Sequence, residues 1–471
     1  MDTVQLSLIS HTNVGKTTLA RTLLRQDVGE VLDRAHVTQS SEAYELIADA
    51  EARLLLWDTP GFGDSSRLLK RLRNEQHPVL WLLQQTWDRL TDRPFWSSQQ
   101  AVRTIRDQSD AVLYLVNAAE DPAGAGYAGP ELELLTWVGR PVLLLLNQTG
   151  PPGLPLERVE QVWRSWAERW PVVQDVLSLD AFTRCWVQEG LLLERVARLL
   201  PPASQPAMAR LADAWQRRNL EVFADSMGHL AAYLAGAAVD REALPSPRPR
   251  KAEGRRAMEA LAQRLETETR TLMDRLIAGH GLEGRSEARL QRQLDDFLLH
   301  GTSGLTAEKG ALLGGALTGA LGGLAADLLA GGLTFGGGMV AGAILGALGG
   351  AGLSRAYDLF KLGGEPAAGW SPDFLLELVR QSLLRYLAVA HFGRGRGSFQ
   401  EDALPPAWQL QVDDLLAPRE SDLRAWFRQL SRSNAARTEV EAALRPFFAD
   451  LARTLLVVMY PSSPWPKDVQ P

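Results

Sequence analysis

Short apolar runs alternate with amphipathic stretches through the first 200 residues. Val4–Ile9, Arg53–Trp57, Ala111–Val116 and Val142–Leu146 are runs bounded by polar or turn residues. Near-continuous apolarity predicts strands covered by helices on both faces. Lys16–Arg25, Pro130–Val138 and Leu156–Trp170 carry helical periodicity between them. That alternation predicts an α/β domain over residues 1–200, built on a mostly parallel sheet. Tyr44–Ala48, the turn Asp49-Ala50-Glu51 and Arg53–Trp57 read as a hairpin. One edge strand is therefore expected to be antiparallel. The Leu-, Gln-, Arg- and Trp-rich stretch near 67–109 reads as a helical insertion, and Pro201-Pro202 closes the domain.

Beyond it the pattern is mainly α-helical. Ala207–Ala238, Ala252–Ile277 and Ser286–Leu299 are predicted helices of a region 201–300, with Pro245–Pro249 as a linker. Asp373–Ala390 and Glu420–Met459 carry the same periodicity in a region 361–460. The Pro- and Ser-rich tail 461–471 is expected to be disordered. Between the two helical regions, 301–360, lies a compositional break. Residues 301–352 hold 18 of the chain's 41 glycines. Gly315, Gly319 and Gly323 fall at four-residue spacing, as do Gly338, Gly342, Gly346 and Gly350. On a helix this forms a glycine zipper where two backbones pack closely. Such contacts must offset about 1 kcal/mol per helical glycine relative to alanine. Gly331–Gly337 reads as the turn of a glycine-rich helical hairpin. Lys309, Arg355 and Lys361 at its ends put both on the cytoplasmic side if it enters a bilayer. Asp327 argues for the alternative, a hairpin buried in a soluble helical domain. Membrane association is the preferred reading of the two.

Composition narrows the classes. The net charge of −6 gives no global attraction to nucleic acid, which is disfavoured as a partner. The single cysteine, Cys185, excludes an intramolecular disulfide and a multi-cysteine metal site, and fits a reducing cytoplasm. Met1-Asp2-Thr3-Val4 has no basic region ahead of an apolar core, so no secretory leader is expected.

The chemistry concentrates near the N-terminus. Ser10-His11-Thr12-Asn13-Val14-Gly15-Lys16-Thr17-Thr18 follows a predicted strand and opens a predicted helix. The Walker A pattern asks for Gly, four residues, then Gly-Lys-Ser/Thr, and Ser10 stands in place of the first glycine. Amides of such a loop face phosphates. Lys16 supplies a point charge to the β and γ phosphates, and Thr17 a hydroxyl ligand to magnesium. His11 is read as lining the loop. Asp58-Thr59-Pro60-Gly61 directly follows a predicted strand. Asp58 can hold magnesium through water, and Gly61 lets a main-chain N–H approach the γ phosphate. Thr38 is the candidate switch I threonine on the same metal, with Ser40 and Ser41 as competitors. Asn147 and Gln148 follow the strand Val142–Leu146 where a base is read, but Gly150 stands where a guanine-reading carboxylate is needed. Asp180 is a candidate substitute, weighed against a turn role.

Together these residues resemble the Era/TrmE-like branch of bacterial small GTPases, through Asn13-Val14-Gly15-Lys16-Thr17 and Asp58-Thr59-Pro60-Gly61. The whole chain looks like a bacterial family joining such a domain to a glycine-rich C-terminal domain of unknown function. Val176–Phe182 and the stretch from Lys309-Gly310-Ala311 carry that likeness. The resemblance implies a guanine nucleotide, GTP, with magnesium as cofactor, and slow hydrolysis involving Lys16, Asn13, Thr38 and Gly61. Phe62 stands where many relatives carry glutamine. In that subclass the asparagine matching Asn13 helps bind potassium, so potassium-stimulated hydrolysis is expected. The expected behaviour is a nucleotide switch in the cytoplasm, at the inner face of the membrane if the hairpin inserts. A membrane surface or membrane protein, and a nucleotide-dependent homodimer, are the expected partners. A non-hydrolysing scaffold and a soluble RNA or ribosome assembly GTPase are the alternatives.

Overall fold

The computed structural model describes residues 1–12, 14–24, 41–85, 92–148, 156–179, 185–282, 357–362, 365–392 and 406–463. Asn13, Thr38, Gly150, Asp180, the predicted helix Ser286–Leu299 and residues 301–356 of the glycine-rich segment lie outside them. The chain divides into two compact units. The first comprises Met1–Leu220 with His391–Phe399 and Tyr460–Trp465, and the second takes the rest.

The first unit is the predicted α/β domain. Six strands, β1 (Asp2–Ser10), β2 (Glu42–Ala48), β3 (Ala52–Asp58), β4 (Ala111–Asn117), β5 (Val142–Asn147) and β6 (Val173–Ser178), form one sheet in the order β2-β3-β1-β4-β5-β6. All neighbours are parallel except β2 and β3, so the hairpin supplies the antiparallel edge expected from sequence. Period-two alternation sorts the side chains onto two faces. Leu6, Leu8, Leu54, Leu56, Leu113, Leu115, Leu143 and Leu145 join one core cluster. Helix α1 (Lys16–Leu24), α7 (Trp186–Leu199) and the first turns of α8 (Gln205–Val239) cover that face through Leu19, Leu192, Val196 and Met208. Ile9, Val112, Tyr114, Val116, Leu144 and Leu146 join the other cluster. It is covered by α2 (Ser65–Leu72), α4 (Arg93–Gln108), α5 (Ala128–Val138) and α6 (Leu156–Ala167), with α3 (Pro78–Gln84) beside them.

Register decides where the chemistry falls. Leu8 of β1 pairs with Asp58 of β3, Ser10 pairs with Leu115 of β4, and Asn117 pairs with Asn147 of β5. The carboxyl ends of four parallel strands therefore share one edge, the edge at which open α/β sheets bind ligands.

The second unit contains the later turns of α8, α9 (Lys251–Gly279), α10 (Pro372–Ala390), α11 (Pro406–Leu416), α12 (Glu420–Ser431) and α13 (Arg437–Met459). The periodicity over Glu420–Met459 resolves into two helices. The break follows Ser431, where Arg432 caps α12 through main-chain bonds to Gln429 and Leu430. A small antiparallel sheet, ordered β7 (Arg241–Ala243), β9 (Glu365–Trp370), β8 (Tyr357–Leu362), has no counterpart in the predicted elements. Of the described helices, α8 is long and apolar enough to cross a membrane by length and composition. However, 61% of its most apolar window is buried in protein, as in a core helix.

One charge in this unit stands out. Arg385 of α10 is 1% exposed, and neither terminal guanidinium nitrogen has a hydrogen-bond partner among the described residues. Its guanidinium carbon lies 5.9 Å from the centroid of the Tyr233 ring, a cation–π contact. Such a contact contributes about 0.5–2 kcal/mol. Desolvating an unpaired charge costs several kcal/mol. Arg385→Met, of similar length and without charge, is therefore expected to raise the thermal unfolding midpoint by a few degrees, measured by calorimetry on the full chain.

Candidate functional site

The phosphate loop is the turn from β1 into α1. Gly15 adopts φ +96°, a left-handed conformation, and a Cβ there would lie 2.7 Å from Nδ2 of Asn147. Only glycine meets both demands. Asn147, fully buried at the end of β5, donates from that nitrogen to the carbonyl of Val14 at 2.7 Å. Asparagine at this point thus ties the loop to the strand that presents Gln148. Gln148 has φ +54°, and is the one non-glycine residue among those described with positive φ. Strained backbone of this kind persists where surroundings enforce it. Ser10 is buried and donates from Oγ to the carbonyl of His11 at 2.7 Å. Thr12 is half-buried, while Val14 and Thr18 are buried.

Lys16 opens α1, and its ammonium is ion-paired with Oδ1 of Asp58. Thr17 donates from Oγ1 to Oδ2 of the same carboxylate at 3.3 Å. The side chains of Lys16 and Asp58 are 8% and 4% exposed, so the two charges neutralise each other out of water. Residues 16, 17 and 58 therefore meet at one point. A hydroxyl and a carboxylate with no nitrogen or sulfur donor suit a hard cation such as magnesium.

Past Asp58 the chain folds back on the loop. Thr59 donates from Oγ1 to the Leu8 carbonyl at 2.8 Å. The Phe62 N–H donates to the Ser10 carbonyl at 3.2 Å, and His11 and Phe62 form a parallel bridge. A Cβ at Gly61 would lie 2.9 Å from the Ser10 carbonyl oxygen, so glycine is needed for this approach. The Phe62 side chain is fully buried in the core with Ile9, Leu68, Phe95 and Tyr114.

Sequence reasoning missed one group here. His11 is half-buried, stacks on Tyr127 with ring centroids 4.5 Å apart, and bonds through Nδ1 to Oε1 of Glu131 at 2.7 Å. Glu131 is fully buried on α5 and also accepts from the Tyr114 hydroxyl at 2.9 Å. The signal was present in the sequence. Glu131 lies three and four residues before Leu134 and Leu135, on the apolar face of its helix. Burial drives the Glu131 carboxyl above its ordinary value, against the bonds from His11 and Tyr114. Burial alone would lower the His11 imidazole, but the Glu131 bond and charge, with the charge of Glu120, carry it above 6.5.

Two family models match the chain. One, described as a 50S ribosome-binding GTPase, matches residues 5–148. The other, described as a domain of unknown function (DUF3482), matches residues 173–451, more than half of the chain. No curated protein matches. Among solved structures, Era in complex with MgGDPNP and nucleotides 1506–1542 of 16S ribosomal RNA is similar at 16% identity, over 43% of this chain and 58% of that one, with a TM-score of 0.32. Aquifex aeolicus Era bound to GDP and AlF4− gives 18% identity, the same coverages and a TM-score of 0.31. A GTP-binding protein from the hyperthermophilic archaeon Sulfolobus solfataricus in complex with GDP gives 17% identity, over 45% of this chain and 53% of that one, with a TM-score of 0.25. The aligned part is thus between about half and three-fifths of each of these structures.

Two outcomes follow from this geometry. Asn147→Ala removes the buried bond to the loop and leaves the Val14 carbonyl without that donor, so a loss of about 1–3 kcal/mol is expected in urea unfolding. The pH dependence has a definite sign. His11 and Glu131 both hold their protons more tightly when folded than when unfolded. Their contribution to stability is therefore full below the unfolded values and is lost as pH rises through the folded ones. For His11 that window lies above 6.5. The native chain should lose more stability than His11→Phe as pH is raised from there, measured by denaturant midpoints.

Proposed function

We propose that this chain, which belongs to the family defined by the domain of unknown function DUF3482, is a nucleotide-dependent switch whose N-terminal GTPase domain binds GTP with magnesium and hydrolyses it slowly. The convergence of Lys16, Thr17 and Asp58 at adjoining strand ends carries this reading. Lys16 would hold the phosphate oxygens of a bound triphosphate, and Thr17 and Asp58 would hold magnesium, which would supply neutralisation of the phosphate charge. Main-chain N–H groups of the loop and the start of α1 face the phosphates. Gly61 presents its N–H where no side chain intervenes. Phe62 is committed to the core and offers no group to orient the attacking water. Slow intrinsic turnover follows, since positioning and charge compensation dominate this chemistry. Glycine at position 150 lacks a carboxylate for guanine, so selectivity against adenine is expected to be weak.

The glycine-rich segment 301–360 is the proposed output. Its zipper-like composition, uncharged over 310–326 and 328–353, suits contact with the inner face of a membrane, in a manner set by the nucleotide state. The description of the N-terminal family model favours a second reading, a ribosome-directed GTPase. The net charge of −6 weighs against it. Flotation with liposomes and co-sedimentation with ribosomal subunits, each with GTP and GDP, separate the two.

The direct test is calorimetric titration of GTP, GDP and ATP with magnesium. The native chain is expected to bind GTP, and Lys16→Ala to lose at least about tenfold in affinity. No heat with any purine triphosphate would end the proposal. Potassium provides a separate check. Hydrolysis faster in potassium than in sodium is expected if Asn13 holds the ion, and equal rates remove that part alone.

A further inference from the structure

We propose that His11 and Glu131 form a positioning latch that holds the phosphate loop, and through the main-chain bridge from His11 to Phe62 the segment Asp58–Gly63 (switch II), in one register, replacing the orienting role that Phe62 cannot supply. The inference rests on the GTPase reading above. Its basis is one buried carboxylate that joins three elements. Glu131 sits in the first turn of α5 and is 0% exposed. One oxygen meets His11 Nδ1 at 2.7 Å, the second residue of the phosphate loop. The other meets the hydroxyl of Tyr114 at 2.9 Å, in the middle of β4 and itself fully buried. The loop is thus pinned to an anchor on the rigid central sheet.

A buried carboxylate is costly to leave unsatisfied, by roughly 1–3 kcal/mol or more for a charged group. These three side chains therefore favour one mutual arrangement. Beside the anchored end lie the residues proposed to matter for hydrolysis. His11 and Phe62 bridge through their main chains, and the Phe62 N–H bonds to Ser10. Gly61 stands beside that bond, with room only for hydrogen. Gly63 is held from the far side, since a Cβ there would lie 2.5 Å from Cα of Pro94. Shifting residue 11 displaces the Gly61 N–H relative to the loop. Misplacement of about 1 Å in a reacting constellation costs up to about a hundredfold in rate. The ring of Tyr127 stacked on His11 fixes the imidazole plane, so the bond to Glu131 keeps one direction. His11 touches neither phosphate nor metal in this scheme and acts through Glu131 and the main chain.

The test compares nucleotide affinity and single-turnover GTP hydrolysis in the full chain. His11→Phe retains the stack on Tyr127 and removes the donor to Glu131. It is expected to lower the hydrolysis rate roughly tenfold or more, while GTP affinity stays within about twofold. His11→Asn places an amide N–H at the position of Nδ1 and is expected to recover part of the rate. Tyr114→Phe, which removes the anchoring hydroxyl from Glu131 with little change in volume, is expected to lower the rate without loss of affinity. Thermal melts report whether each variant folds, and Tyr114→Phe keeps the test open if His11→Phe does not. A native rate in both His11→Phe and Tyr114→Phe overturns the latch and leaves the GTPase reading intact. So does a proportional loss of rate and affinity in His11→Phe. A native chain that binds no nucleotide overturns both.

Discussion

The fold's functional edge depends on the buried pairing of Lys16 with Asp58. Two charges at this depth stabilise each other, and removing one partner from such a pair costs about 3–5 kcal/mol. The pairing is possible because β1 and β3 run parallel with Leu8 opposite Asp58, so that the loop after one strand and the carboxylate ending the other become neighbours. It also defines what can displace it. A ligand that parts these groups must bring negative charge for the lysine and positive charge for the aspartate in the same event. A triphosphate carrying a divalent cation meets both needs at once, and an anion or a metal ion alone meets only one.

The same logic explains which glycines the edge requires. Gly15 and Gly61 do not serve flexibility in this structure. Each sits where a Cβ would collide with a group that holds the loop, Nδ2 of Asn147 in one case and the Ser10 carbonyl in the other. Asn147 and Ser10 in turn fix Val14 and His11. Loop, strand ends and switch II thus form a closed set of contacts in which main-chain atoms, released from side-chain bulk, face the phosphate position.

Much of this was legible in the sequence because its causes are local. Apolar runs near the strand length, separated by amphipathic stretches, gave the parallel sheet, and the Asp49-Ala50-Glu51 turn marked the antiparallel edge. Lys16, Thr17 and Asp58 were recognisable because phosphate and magnesium chemistry demands those residue types directly after a strand. What stayed hidden arises from long-range pairing. The sheet β7-β9-β8 joins a three-residue strand to a hairpin more than a hundred residues later, and neither piece has a period long enough to register. Glu131 was concealed differently. In Glu131-Leu132-Glu133 the two acids look alike, yet Glu133 faces Arg73 at the surface while Glu131 lies on the apolar stripe. Helical phase distinguishes them, but only tertiary packing reveals that the inward carboxylate finds His11.

Phe62 brings these strands of the argument together. A buried aromatic ring at this position gives up any direct part in chemistry and adds apolar contact under switch II, against Ile9 and Phe95. That burial fixes the side chain, and the main chain with it, so the Phe62 N–H remains on the Ser10 carbonyl and Gly61 stays beside the loop. Where a flexible polar side chain would orient water itself, the mechanism we propose relies on the placement of main-chain groups. Placement of that kind needs support from behind. The His11–Glu131 pair, anchored on Tyr114 at the centre of the sheet, is the support we propose, in the same unit. The hydrophobic residue at 62 and the buried acid at 131 are therefore two halves of one arrangement, and replacing either alone would leave the other without its structural reason.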